Sequence, residues 1–296
     1  MKPRYLSYLG YRLLRRSARF QRFVAHFAQL ALESYLIQDF INRPYGAAYG
    51  LSPDDRARMV ARFRHIVAMV PSGTSALFHT ILAREILSLP PTMSGDVIEC
   101  GVWKGACSTS LSLVCQATGR RLFVADSFQG LPGSAPYRYP VAHLQSYDYL
   151  EPGQFRGTQN EVRANIRDYG CLEVCSFLAG WFADTLPQLD TPLVFAFLDA
   201  DLESSTRDCL RSIWPLLPTG GLVYTDDAAN MEVVRIFFDD PWWQQQFGEP
   251  APGFIGSGSG LPVLPLSSTL GYTCKQSRET LDGWRRVYNH SFLPLQ

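Results

Sequence analysis

A doubly wound, Rossmann-like α/β sheet over residues 95–296, preceded by a helical extension over residues 1–94, is what this chain predicts, and three observations lead there. The runs TPLVFAFLD (Thr191–Asp199) and GGLVYTDD (Gly220–Asp227) are short and continuously apolar, the pattern of interior strands in a parallel sheet rather than of half-solvated ones. The segment Ser204–Leu217 between them is long enough for a crossover helix, which makes the two strands parallel neighbours. Finally, acids close the runs: Asp199 ends the first, and Asp226 and Asp227 end the second. In open sheets of this kind the ligand crevice lies just beyond the carboxyl ends of the strands, so these three carboxylates converge on it.

The elements follow in order. Lys2, Arg4, Arg12, Arg15, Arg16, Arg19 and Arg22 interleave with Tyr5, Leu9, Leu13, Leu14, Phe20 and Phe23. Such a helix either lies on an anionic membrane surface or packs its apolar stripe on the protein or a second subunit; the packing is the preferred reading, with a homo-oligomer expected. Ala28–Ile41 is rich in Leu, Ala and aromatic residues, and Pro44–Gly50 reads as a turn. Ser52 as cap and Pro53 in the first turn start a helix that continues through Arg56–Val70, and Pro71-Ser72-Gly73 ends it. A further helix spans Ala76–Leu87, before Pro90-Pro91. Strands are expected at Asp96–Cys100, Arg121–Ala125, Leu172–Leu178, Leu193–Leu198 and Leu222–Thr225. The long insertion Phe128–Tyr169 carries Pro132, Pro136, Tyr137, Tyr139, Pro140, His143, Tyr147 and Tyr149, and reads as a lid over the site rather than as core. An aromatic helix containing Phe237, Phe238, Trp242 and Trp243, a glycine-rich loop Pro252–Pro262 and a late strand Leu270–Lys275 complete the domain.

Bulk properties narrow the function. With 27 basic and 27 acidic side chains in 296 residues, the chain lacks the basic field that a nucleic-acid-binding protein needs. No apolar run approaches the ~20 residues of a membrane span and no signal-peptide core is present, so a cytoplasmic location is expected. The seven cysteines are odd in number and form no Cys-x-x-Cys pair, which speaks against zinc ribbons and redox pairs.

Candidate binding residues cluster after the first two strands. Glu99-Cys100-Gly101-Val102-Trp103-Lys104-Gly105 places glycine where a ligand can press against the backbone, ahead of a helix N-terminus. The G-x-G-x-x-G string of dinucleotide binders is missing. Asp126, at the end of the second strand, stands where a ribose-hydroxyl acceptor belongs, and Glu99 suits a positively charged amino-acid group. Two acids around a glycine turn fit S-adenosylmethionine better than a phosphate ligand. The all-oxygen set Asp199, Asp226 and Asp227 suits a hard cation such as magnesium. Asp199 is the candidate base, with His143 in the insertion as its rival.

Read in order, GDVIECGVWKGACS (Gly95–Ser108), VADSFQGLP (Val124–Pro132), GWFADTLP (Gly180–Pro187), LDADLESST (Leu198–Thr206) and PTGGLVYTDD (Pro218–Asp227) resemble the macrocin O-methyltransferase family of sugar O-methyltransferases, over roughly Met69 to Asp227. The resemblance implies a class I methyltransferase fold. It implies S-adenosylmethionine binding by Met69, Glu99, Gly101, Val102, Trp103, Asp126 and Ser127, with Gly180 and Trp181 beside the adenine. It further implies magnesium on Asp199, Asp226 and Asp227, Asp199 as the base, and a sugar or other small polyol as acceptor. The chain departs from the family pattern at Ala200, where the family has glycine, and at Glu203-Ser204-Ser205-Thr206, where it has Tyr-Glu-Ser-Thr. A nucleotide-dependent oxidoreductase or epimerase, and a non-catalytic scaffold, remain the alternatives.

Overall fold

A computed structural model describes residues 31, 33–133, 135–141, 146–256, 270–277 and 280. The basic segment, His143 and most of the glycine-rich loop lie outside these residues. Helix α1 (33–42) leads through a turn into α2 (Pro53–Met69). Ser52 and Asp55 form a reciprocal capping box at the start of α2, with Pro53 in its first turn. Ser75 caps α3 (Ala76–Ser88). The guanidinium of Arg56, buried on α2, donates to the carbonyls of Ile41, Tyr45 and Leu51 and so ties α1 and the turn to α2.

Among the described residues the sheet holds seven strands, in the order β5-β2-β1-β6-β7-β9-β8. β1 (Asp96–Cys100) pairs in parallel with β2 (Leu122–Asp126) and β6 (Leu193–Leu198), β2 with β5 (Cys175–Ala179), and β6 with β7 (Leu222–Thr225). β9 (Gly271–Cys274) joins β7 antiparallel, and β8 (Ile255–Gly256) closes that edge. The chain winds outward from β1 through β2 to β5, then returns to β6 and winds the other way. The reversal therefore falls between β1 and β6, where a crevice opens at the carboxyl ends. Successive side chains alternate between faces: Val97 packs with Val60, Phe63, Leu82 and Leu111, whereas Ile98 and Cys100 pack with Leu210, Ile213, Trp214 and Trp243. The helices α2, α3, α4 (Ala106–Thr118) and α5 (Gln159–Tyr169) cover the first face. α6 (Phe182–Thr185), α7 (Glu203–Ile213), α8 (Met231–Ile236) and α9 (Asp240–Phe247) cover the second, and residues 33–94 share one core with the sheet.

The structure differs from the sequence reading at several elements; β8 forms inside the expected glycine-rich loop, and β9 is Gly271–Cys274 rather than Leu270–Lys275. β2 runs Leu122–Asp126: the Arg121 carbonyl still accepts from the Val97 amide, but its own amide and Nε donate to the Asp96 carboxylate instead of to a strand. β5 begins only at Cys175, since Leu172–Val174 is wound into a 3₁₀ turn. The insertion is not all loop outside the core: it contains a hairpin, β3 (Tyr137–Val141) and β4 (Ser146–Leu150), and then α5, whose Val162 and Ile166 are fully buried against α4. The aromatic stretch is two helices, not one, because Asp239 breaks it and accepts the Trp242 amide as the cap of α9.

Candidate active site

The loops after β1, β2, β6 and β7 are placed by ladder bonds that run on past the strand ends. Gly101 N–H donates to Ala125 O (2.9 Å), Asp199 N–H to Cys100 O (2.9 Å), Gly180 N–H to Asp126 O (2.9 Å) and Asp226 N–H to Leu198 O (3.2 Å). Gly101 sits at φ +85°, and a Cβ there would run into the carbonyl oxygen of Asp199; the close approach of the β1 and β6 loops needs glycine. A cavity of about 750 Å³ opens between these loops. Among the described residues, the non-glycine residues with positive φ are Trp103, Phe128, Phe155 and Asp201 (43–59°), all on loops around this cavity. Backbone strain of that kind concentrates at functional sites.

At one end of the cavity stand Glu99, Asp126 and the loop Gly101–Trp103. Glu99 is 1% exposed and accepts a hydrogen bond from Ser108 Oγ at 2.5 Å. Desolvation pushes its carboxyl up to about 7, against the hydrogen bonds from Ser108 and Cys107. Asp126 accepts from the amides of Val102 (2.7 Å, Oδ2) and Phe128 (2.6 Å, Oδ1), and the Trp103 amide also reaches its carboxylate; together these amides shape the turn. Burial raises its carboxyl too, and those amides oppose the rise. Ser127 Oγ donates to Gly130 O and accepts from the Gln129 amide, fixing the next turn. Trp103 meets Phe155 edge to face at 5.9 Å. Trp181 lines the cavity, and Gly180 positions it from behind without lining the cavity itself. Met69 is 53% exposed and does not line the cavity; the turn Pro71–Thr74 that follows it does.

At the other end the acids gather. Asp199, Asp201 and Asp227 each present a carboxylate oxygen, all within 4.8 Å of one another. Asp226 lines the cavity beside them, while Asp227 lies behind, accepting from Asp201 N–H (3.0 Å) and facing Thr225 Oγ1 (3.3 Å). Burial, then the charges of Asp226, Asp201 and Asp227, drive the Asp199 carboxyl well above the usual carboxylate range. Burial and Asp226 push Asp201 up to about 7, and Asp227 is raised by burial, Asp201 and Asp226. So many recessed carboxylates are incompatible as anions without a cation among them, and their oxygen-only donor set fits a hard divalent ion. Asp201 belongs to the group although the sequence reading passed over it; its signal was the Asp-x-Asp spacing of Asp199-Ala200-Asp201. Ser204, Ser205 and Asp208, on one face of α7, continue the cavity wall beyond these acids.

The chain matches the family profile described as macrocin-O-methyltransferase (TylF) over residues 21–252. It is 36% identical over 216 residues to the 8-demethyl-8-(2,3-dimethoxy-alpha-L-rhamnosyl)-tetracenomycin-C 4'-O-methyltransferase of Streptomyces olivaceus, covering 71% of this chain and 81% of that protein. It is 38% identical over 144 residues to the demethyldecarbamoylnovobiocin O-methyltransferase of Streptomyces niveus, covering 45% of this chain and 52% of that protein. Among solved structures, the O-methyltransferase NovP shares the fold at a TM-score of 0.54 and 22% identity, across 75% of this chain and 98% of that one. The family's chemistry is O-methyl transfer, not that of a nicotinamide-dependent oxidoreductase or epimerase. The chain belongs to the macrocin-O-methyltransferase (TylF) family of S-adenosylmethionine-dependent methyltransferases.

Proposed function

We propose that the protein methylates a hydroxyl of a sugar or other small polyol-bearing molecule, with magnesium held by the aspartates and Asp199 as the base. The observation that carries this reading is the joining of two acidic ends in one cavity: Glu99 and Asp126 on the β1–β2 side, Asp199, Asp201 and Asp226 on the β6–β7 side. Glu99 is placed to accept from the cofactor's ammonium group and Asp126 from its ribose hydroxyls, with Gly101, Val102, Trp103, Ser127 and Trp181 as the walls. Asp199, Asp201 and Asp227 would hold the magnesium, with Asp226 beside them. When bound there, a magnesium ion supplies the positive charge that lets neighbouring hydroxyls lose a proton near neutral pH. Asp199, at the β6–β7 end, takes that proton on its carboxylate. Trp103, Phe155 and Tyr137 shield the reacting region, and Ser204, Ser205 and Asp208 offer hydrogen bonds to further hydroxyls of an acceptor.

The names of the similar proteins support a glycoside as acceptor: one modifies a rhamnosyl-tetracenomycin and another a demethyldecarbamoylnovobiocin. The test is incubation of the protein with methyl-labelled S-adenosylmethionine, magnesium and a panel of rhamnosides and related glycosides, read by mass spectrometry. A labelled sugar methyl ether is expected. Label appearing on a nitrogen or carbon, or full turnover after chelation, would overturn the reading.

A further inference from the structure

His79 lies wholly buried on α3, away from the cavity, and the chemistry described above makes no use of it. Its Nε2 is 2.9 Å from Thr74 Oγ1 and its Nδ1 is 2.8 Å from Ser110 Oγ. Both partners are buried as well, Thr74 at 6% and Ser110 at 1% exposure. From Thr74 the chain of polar contacts continues outward: Ser72 Oγ accepts from the Thr74 amide (3.2 Å), donates to the Thr74 carbonyl (2.7 Å) and faces Thr74 Oγ1 at 3.3 Å. Ser72, Gly73 and Thr74 line the cavity. Ser110 belongs to α4, whose first turn brings Ala106 and Cys107 to the cavity and Ser108 to Glu99.

A neutral imidazole with its proton on Nε2 satisfies every member: Ser110 donates to Nδ1, Nε2–H donates to Thr74 Oγ1, and the Thr74 hydroxyl is free to donate to Ser72. Such a fully connected buried network rigidifies what it joins. Here it joins the turn that lines the cavity to the helix whose first turn also lines it. We propose that His79 is a positioning residue for the cofactor, holding the Ser72–Thr74 turn against α4 so that the wall beside Glu99 is set before the ligand arrives. This rests on the cavity being the S-adenosylmethionine site. A wall ordered in advance does not have to be ordered on binding, and that saving shows as affinity.

The test uses S-adenosylhomocysteine binding by calorimetry, together with amide exchange of the Ser72–Ser75 turn in the ligand-free protein. Thr74→Val keeps the shape and removes the hydroxyl. It is expected to weaken binding at least about fivefold, the worth of one modest hydrogen bond, and to speed exchange in the turn. Thr74→Ser, which restores the hydroxyl, is expected to stay within twofold of the parent. Ser110→Ala, at the far end of the network and off the cavity, is expected to weaken binding in the same direction and carries the test should Thr74→Val not fold. A purely structural histidine would lower the melting temperature of these variants and leave the dissociation constant unchanged, and that result overturns the proposal. So does a Thr74→Ser variant as impaired as Thr74→Val. Failure of the parent protein to bind S-adenosylhomocysteine would strike the cofactor site itself, a distinct outcome.

Discussion

A carboxyl group buried at the end of β1 is a poor place for negative charge until a cation comes to it. Glu99 is in that position, its carboxyl raised to about 7 chiefly by desolvation. The ionised form is the one that holds an ammonium group, so cofactor affinity should rise with pH and level off above about 7. A single linked proton sets the steepest slope, up to about tenfold per pH unit below that point. Calorimetry between pH 5.5 and 8 tests this; in Glu99→Gln the profile should be flat and the binding weaker, and a pH-independent parent would remove Glu99 from the site. Asp199, Asp226 and Asp227 were legible in sequence because each closes an apolar run, and a strand end in a parallel sheet has only one place to point. Asp201 was not. It stands beyond the strand in a left-handed turn (φ 59°), and its place in the group comes from its amide bonding back to Asp227 across the β6–β7 boundary.

The insertion between β2 and β5 shows how an element can be misread from composition. Its tyrosines, read from the sequence as part of a lid, fall largely in a hairpin that the composition did not announce: β3 lies against α8, and Tyr149 is 58% exposed. α5, within the same stretch, is polar nearly throughout, so the two apolar residues that matter, Val162 and Ile166, are easily lost among its charges. Spaced four apart, they share one face and enter the core. Val162 also packs where a side chain on Gly105 would otherwise sit. Val162→Ala is therefore expected to cost about 2 kcal/mol in urea unfolding, whereas Tyr149→Ala should change stability by less than about 0.5 kcal/mol. Equal, negligible effects would mean that the whole insertion, α5 included, contributes nothing to the core.

For the molecule as a whole, recessed acids couple folding to pH and to metal. A carboxyl whose pKa is raised by folding keeps its proton in the native state after the unfolded chain has lost it. Metal-free protein should accordingly lose stability as pH rises from about 4 to about 7, the window set by Asp201 and Glu99. Millimolar magnesium is expected to raise the melting temperature at pH 7.5 and to flatten the part of this decline that belongs to the aspartates. Asp199→Asn should melt higher than the parent without metal, lose most of the magnesium response and lose methyl transfer. A parent whose melting is indifferent to magnesium, or an Asp199→Asn variant that retains turnover, would refute the metal site. Chelation should stop turnover and leave the protein folded.

The five parallel strands after residue 95, the acids at their ends and the glycine turn were readable along the chain, whereas the hairpin, α5 and the division of the aromatic helix were not. They depend on local periodicity and on the rule that parallel strands deliver their carboxyl ends to one edge. What the chain could not show was which of these groups share a space. Asp201 joining Asp199 and Asp227, Pro71–Thr74 taking the cavity wall in place of Met69, and His79 linking that turn to α4 all bring together residues from separate elements. Such contacts exist only after the sheet has closed and the helices have packed, because side-chain proximity across elements is set by packing and not by spacing along the backbone.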